Sequence, residues 1–226
     1  GYPAYLGTRI AEFYERAGKI RCLSSLEKER EGTLTVIGAV SPPGGDLAEP
    51  VVQATLRVVK VFWSLEAKLA FRRHFPAINW LRSYSLYWDN IKDYFESIKM
   101  SDFVDNRAKA MGILQEEASL EEIVRLVGFE SLSTKDRLTL ETARSIREDF
   151  LHQNAFEDDD TYTSLEKQYL ILKAILRLHN ESINFAQKGD SFDQIMSLDI
   201  RSKFAKITYK KLDYVENLLK EIAELS

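Results

Sequence analysis

The hydrophobic pattern changes rhythm once along this chain, near residue 79. Before that point, short apolar runs of different kinds follow one another. Tyr5, Leu6, Ile10, Phe13 and Tyr14 recur near helical spacing and predict a helix over 2–17, with Gly18 placed as its left-handed cap. A charged turn, Lys28-Glu29-Arg30-Glu31-Gly32, leads into residues 33–40, a β-branched run that reads as a short buried strand. Pro42, Pro43, Gly44 and Gly45 end it in an irregular loop. Residues 54–63 are apolar without a clear period and fit either strand or helix, and 65–73 read as helical.

After residue 81 no convincing strand pattern occurs and helix starts accumulate. Ser119 with Glu122 makes a capping-box pattern ahead of Ile123, Leu126 and Val127, and Gly128 closes that short helix. Ser133 with Asp136 opens a second helix carrying Leu138, Leu140, Ala143, Ile146 and Phe150. Thr163 with Glu166 heads a third, strongly apolar over 165–178. A last helix is expected over 203–225, with Phe204, Ile207, Val215, Leu218 and Ile222 as its inner stripe. The expected fold class is therefore mixed but predominantly α: a set of α/β elements over 1–78, then a helical bundle over 79–226.

Composition narrows the function classes. The 226 residues, 45% apolar and 29% charged, suffice for one large core or two small ones. A net charge of -4 gives no bulk attraction to nucleic acid or anionic lipid, so neither is an expected partner. Apolar runs fall far short of the roughly 20 residues that span a bilayer. Cys22 is the only cysteine, which excludes an intrachain disulfide and, with no signal-like start, favours a reducing cytoplasmic setting. The opening Gly1-Tyr2-Pro3, without Met, suits a piece of a longer chain.

Candidate chemistry is sparse. His74, His152 and His179 show no metal-like spacing, and Glu157-Asp158-Asp159-Asp160 lacks the oxygen spacing and glycine of a calcium loop. That run reads as a solvated acidic turn, and no metal site is expected. Asp46 and Glu49 have no nucleophile or His nearby in sequence; they are expected to fix their loop or meet a neighbouring subunit. No Gly-x-x-x-x-Gly-Lys-Ser/Thr run occurs, so the loop that cradles nucleotide phosphates is not in this chain.

Four blocks nevertheless carry a family likeness: Gly1-Tyr2-Pro3-Ala4-Tyr5-Leu6 with Ala11-Glu12-Phe13-Tyr14-Glu15-Arg16-Ala17; Ile37-Gly38-Ala39-Val40 running into Ser41-Pro42-Pro43-Gly44-Gly45-Asp46-Leu47-Ala48-Glu49-Pro50; Phe75-Pro76-Ala77-Ile78-Asn79-Trp80-Leu81 with Ser83-Tyr84-Ser85-Leu86-Tyr87; and Arg147-Glu148-Asp149-Phe150-Leu151-His152-Gln153-Asn154-Ala155-Phe156. In this order they resemble the catalytic A subunit of V-type and archaeal-type rotary ATPases. The resemblance implies the last elements of a RecA-like P-loop NTPase domain followed by the carboxyl-terminal bundle. It implies ATP or ADP with Mg2+ as ligands of a parent complex, none held tightly by this piece alone. It also implies B subunits in an alternating A–B hexamer, a central stalk, and a peripheral cytoplasmic head that meets the membrane only through an ion-translocating sector. Leu86 stands where B-type subunits carry an Arg, which separates this chain from the non-catalytic type.

By the same resemblance Phe75 on Pro76 packs one face of adenine, and Ala155 with Phe156 forms the opposite wall, with Gln153 and Asn154 as polar contacts. No catalytic residue is assigned, and isolated activity is not expected. Glu130, Ser131, Leu132, Ser133, Thr134, Lys135 and Asp136 lie where the related F-type lever presses on the stalk. Two plainer readings stand beside these: Phe75 and Phe156 as core aromatics, and 130–136 as a solvated helix connection. A helical interaction module without nucleotide, or a B-type subunit, is the alternative function. The strand at 33–40 would expose edges, so self-association is a further expectation.

Overall fold

The computed structural model describes residues 1–23 and 30–225. The turn expected at Lys28 and Glu29 thus lies partly outside the described residues. Two units are separable by their internal packing: residues 1–62 with 84–86, and residues 63–83 with 87–225.

In the first unit the expected helix is shorter, α1 (Leu6–Tyr14), and Gly18 opens a strand rather than capping it. That strand, β1 (Gly18–Cys22), pairs antiparallel with β2 (Arg30–Leu34). The buried strand expected over 33–40 is not present. Only its first two residues belong to β2, whose positions are exposed or half-buried, and Ile37 is 81% exposed. A two-stranded ribbon has no second layer to cover it, so β-branched residues there find no interior. Helix α2 (Pro50–Leu56) packs on α1. Its start is capped by the Glu49 carboxylate, which accepts from the Val51 and Val52 amides at 3.0 and 3.1 Å. Asp46 accepts from the Ala48 amide at 2.9 Å, so both acids do fix their loop. The ambiguous apolar run resolves into the end of α2 and a short strand, β3 (Val61–Phe62), paired with β4 (Tyr84–Ser85).

The second unit is helical. After α3 (Ala67–Phe71) and α4 (Trp88–Ser97) comes α5 (Phe103–Val127), which runs unbroken through Ser119. The capping box expected there fails because Leu114, Glu117 and Leu120 form one buried face that continues the helix past the polar signal. Gly128, at φ 86°, ends it as expected. In α6 (Thr134–Ser145), Ser133 caps as expected, its hydroxyl accepting from the Asp136 amide at 3.2 Å. One wide turn, Ile146–Leu151, and the short α7 (Asp158–Thr161) lead to α8 (Leu165–Lys188). The cap of α8 is Ser164, one residue beyond the expected Thr163. Two short helices, α9 (Phe192–Met196) and α10 (Asp199–Ser202), precede α11 (Leu212–Glu224). The expected last helix is split because Lys206 takes a left-handed backbone, but its stripe is buried throughout.

Helix α8 is the axis of the core, packed against α5, α6 and α11. Ala143, Ile146, Ile171, Ala174, Ile175, Ile207, Val215 and Ile222 are almost wholly enclosed. Each large apolar side chain there contributes roughly 1.5–3 kcal/mol.

One polar pair inside this packing sets a pH dependence. His179 Nδ1 lies 2.8 Å from Thr142 Oγ1, whose own proton goes to the Leu138 carbonyl at 2.9 Å, so the imidazole donates. Burial first, then the charges of Arg201 and Lys135, hold His179 below the ordinary histidine range. A depressed folded pKa contributes stability above the unfolded value of about 6.5, lost as pH falls through the folded value. Thermal denaturation should therefore show Tm dropping as pH falls below about 6.5, with a shallower drop in His179→Gln. An equal slope in both proteins would remove His179 from the account.

Candidate functional site

Within the helical unit, the Phe75 segment meets the segment that follows the wide turn. That turn is closed by a bond from the His152 amide to the Arg147 carbonyl at 3.0 Å. The longer loop of backbone redirects the chain as it leaves the bundle, so His152 and Gln153 run alongside Phe75. The Gln153 amide donates to the Phe75 carbonyl at 2.6 Å, and the Phe75 amide donates to His152 Nδ1 at 3.2 Å. The Phe75–Pro76 peptide is cis. Phe75 is 49% exposed and Phe156 97%, and among the described residues no ring contact joins them. Neither ring is a core aromatic.

The turn is anchored from behind. Arg147 donates to the Glu117 carboxylate at 2.9 and 3.1 Å, and Glu117 is buried in α5. Burial pushes the Glu117 carboxyl up, opposed by the charge and hydrogen bonds of Arg147. His74 lies between Trp80, which it meets edge-on, and His152, at a tilt, with ring centroids 5.5 and 5.4 Å away. Burial, then His152 and Arg147, hold its imidazole below the usual range, with Glu148 opposing.

The loop beyond Gln153 is fixed by Asp160. Its carboxylate accepts from the Asn154 amide at 2.7 Å, and the residue is 1% exposed. This corrects the reading of 157–160 as a solvated turn: Glu157, Asp158 and Asp159 are exposed, but Asp160 is structural. Asn154 is likewise committed, its Oδ1 accepting from the Phe156 amide at 3.1 Å and its Nδ2 donating to Tyr209 at 3.3 Å. Behind the loop, the Lys167 ammonium donates to the carbonyls of Asp159 and Thr208, with the charges of Asp159 and Asp160 near it. Sequence reasoning missed Glu117, Asp160 and Lys167, whose charged types read as surface. It also missed the approach of His74 to His152 across 78 positions of chain.

The 130–136 corner is stiff. Arg137 donates to the carbonyls of Leu132, at 3.2 Å, and Glu130, and pairs with the Glu130 carboxylate at 2.9 Å. Its guanidinium lies over Phe129 and Phe192, and Leu132 is buried. Glu130, Ser131, Ser133 and Lys135 face solvent. Among the described residues no group of three or more His, Cys, Asp and Glu side chains is placed to hold a metal, and no helix is long and apolar enough to cross a membrane.

The first unit thus holds an antiparallel ribbon with short helices, and the second is a helical unit built on α8. Residues 1–85 match the ATP synthase alpha/beta family, nucleotide-binding domain, and residues 92–196 match the C-terminal domain of V and A type ATP synthase. The chain belongs to this ATP synthase family, in its V and A branch. It is 60% identical over 225 residues to the V-type ATP synthase alpha chain of Thermoanaerobacter pseudethanolicus, covering 98% of this chain and 38% of that one. It is 58% identical over 226 residues to the V-type ATP synthase alpha chain of Clostridium botulinum strain Hall, covering 100% and 38%. Among solved structures it is similar to a unique ATP synthase subunit, NeqB, from Nanoarcheaum equitans, with a TM-score of 0.61 and 27% identity over 79% of this chain and 40% of that one. The chain thus spans about 38% of the length of these curated relatives.

Proposed function

We propose that this chain forms the adenine-side and stalk-facing part of a catalytic A subunit, in a rotary enzyme coupling ATP hydrolysis or synthesis to ion transport. Relatives named as alpha chains support the subunit type, as does Leu86 at the position where B-type subunits carry Arg. The observation that carries the adenine reading is the pair of hydrogen bonds tying Phe75 to His152 and Gln153, since it brings the two aromatic segments together.

Phe75 with Pro76, and Ala155 with Phe156, offer exposed apolar faces to a flat base. Of the two polar candidates, Gln153 has no side-chain hydrogen bond among the described residues, while Asn154 acts mainly by shaping the loop. Mg2+ and the phosphates, in this reading, are held by residues outside this chain, and phosphoryl transfer depends on that positioning. B subunits flank the nucleotide, and the corner at Glu130, Ser131, Leu132, Ser133, Thr134, Lys135 and Asp136 meets the stalk. Its internal ties suit a steric push, which needs no dense acidic pattern.

In the full-length assembled enzyme, Phe75→Ala and Phe156→Ala should each weaken ATP binding by about 1–3 kcal/mol, or roughly 5- to 150-fold. Tripolyphosphate, which has no base, should bind all three proteins alike. Unchanged ATP affinity in both variants would remove the adenine wall.

A further inference from the structure

We infer that His152 is a positioning residue for nucleotide binding: its Nδ1 lone pair holds the Phe75 amide and so fixes the ring that stacks on the base. This rests on the adenine reading above. The Phe75 amide donates to His152 Nδ1 at 3.2 Å, while the Phe75 carbonyl accepts from the Gln153 amide at 2.6 Å. Both backbone polar groups of Phe75 are therefore satisfied by one two-residue segment. One of those bonds comes from backbone, which any sequence would supply. The other needs a side chain with an acceptor two bonds beyond Cβ.

The geometry specifies the ring's state. An amide can donate to Nδ1 only if that nitrogen carries no proton, so this bond requires the tautomer with the proton on Nε2. The imidazole is held in place by its tilted ring contact with His74, which itself meets Trp80 edge-on. The backbone of His152 is set by the wide turn, whose closing bond ends on Arg147, and Arg147 is tied to Glu117 in α5. Orientation thus passes from the bundle through Arg147 and the turn to His152, and from its side chain to Phe75. Without the acceptor, the Phe75 amide must turn to water, and the half-exposed ring loses its fixed direction.

The test uses the full-length assembled enzyme with His152→Leu, His152→Asn and Phe75→Ala. Asparagine places its amide oxygen near the position of Nδ1, so it can accept from the same amide; leucine fills the space but cannot accept. His152→Leu should raise KM for ATP by about tenfold at nearly constant kcat, and His152→Asn should restore it to within about threefold. Hydrogen exchange at the Phe75 amide should speed up in the leucine variant and stay near normal in the asparagine variant. If Phe75→Ala raises KM but His152→Leu does not, or if asparagine fails as badly as leucine, the role of His152 is overturned. If Phe75→Ala leaves KM unchanged, the adenine reading itself falls, and the exchange measurement alone judges whether His152 holds the amide. Where the leucine variant does not assemble, His152→Ala replaces it under the same criteria.

Discussion

Replacing Arg147 with methionine is expected to destabilise the helical unit by about 3–5 kcal/mol, because it strands a buried carboxylate. Glu117 is 6% exposed, and its only cationic contact among the described residues is the Arg147 guanidinium. Methionine keeps much of the apolar stem's packing but supplies no charge, so the loss isolates the electrostatic part. The sign of the pH dependence is fixed by the same geometry. Burial already pushes the Glu117 carboxyl upward, and Arg147 is what opposes it. Without Arg147 the folded pKa rises further above the unfolded one, so the penalty is absent at low pH and appears as pH rises through the folded value. Denaturation at about pH 5 and about pH 8 should show a smaller gap between wild type and Arg147→Met at the acidic end. Equal gaps would show that the carboxylate is not what the variant uncovers. The double variant Glu117→Gln with Arg147→Met should recover most of the loss.

Lys167→Met is the second large effect, at about 3 kcal/mol or roughly 6–12 °C in Tm. Lys167 is 6% exposed, and its ammonium joins the carbonyls of Asp159 and Thr208, which belong to separate segments packed near the start of α8. Removing it takes the ammonium donor from the Thr208 carbonyl, leaves the Asp159 carbonyl with Thr163 Oγ1 as its side-chain donor, and strips the Asp160 carboxylate of its nearby cation. One Asp160 oxygen already lacks a hydrogen-bond partner among the described residues, so this carboxylate has little reserve. Asp160 also holds the Asn154 amide, and the loop carrying Phe156 should loosen with it. Thermal denaturation would read the first effect and protease sensitivity near Phe156 the second. A Tm shift below about 2 °C would mean that water replaces the ammonium at little cost.

How much of this was legible beforehand varies by residue. The stripe Phe204, Ile207, Val215, Leu218 and Ile222 is wholly buried, because 3.6-residue periodicity states a face directly. Ser133 and Gly128 act as cap and stop because their effects are local. Ser119 does not start a helix, since a local signal yields to a long-range one when the flanking face is already packed. The 33–40 run shows the converse: β-branched residues stay exposed where no layer covers them. Glu117, Asp160 and Lys167 were invisible in principle, because sequence does not reveal which charges have found a partner. Phe75 and Phe156 are singled out as candidates by family likeness alone; periodicity says nothing about rings on irregular backbone.

The Arg137 clamp has a mechanical corollary. The corner has little freedom to bend as a hinge, since the guanidinium braces the Glu130 and Leu132 carbonyls and lies over the Phe129 and Phe192 rings. In the proposed stalk contact, a load on this corner would pass through Arg137 in α6 to Phe129 beyond α5 and Phe192 in α9, so the three elements would share it.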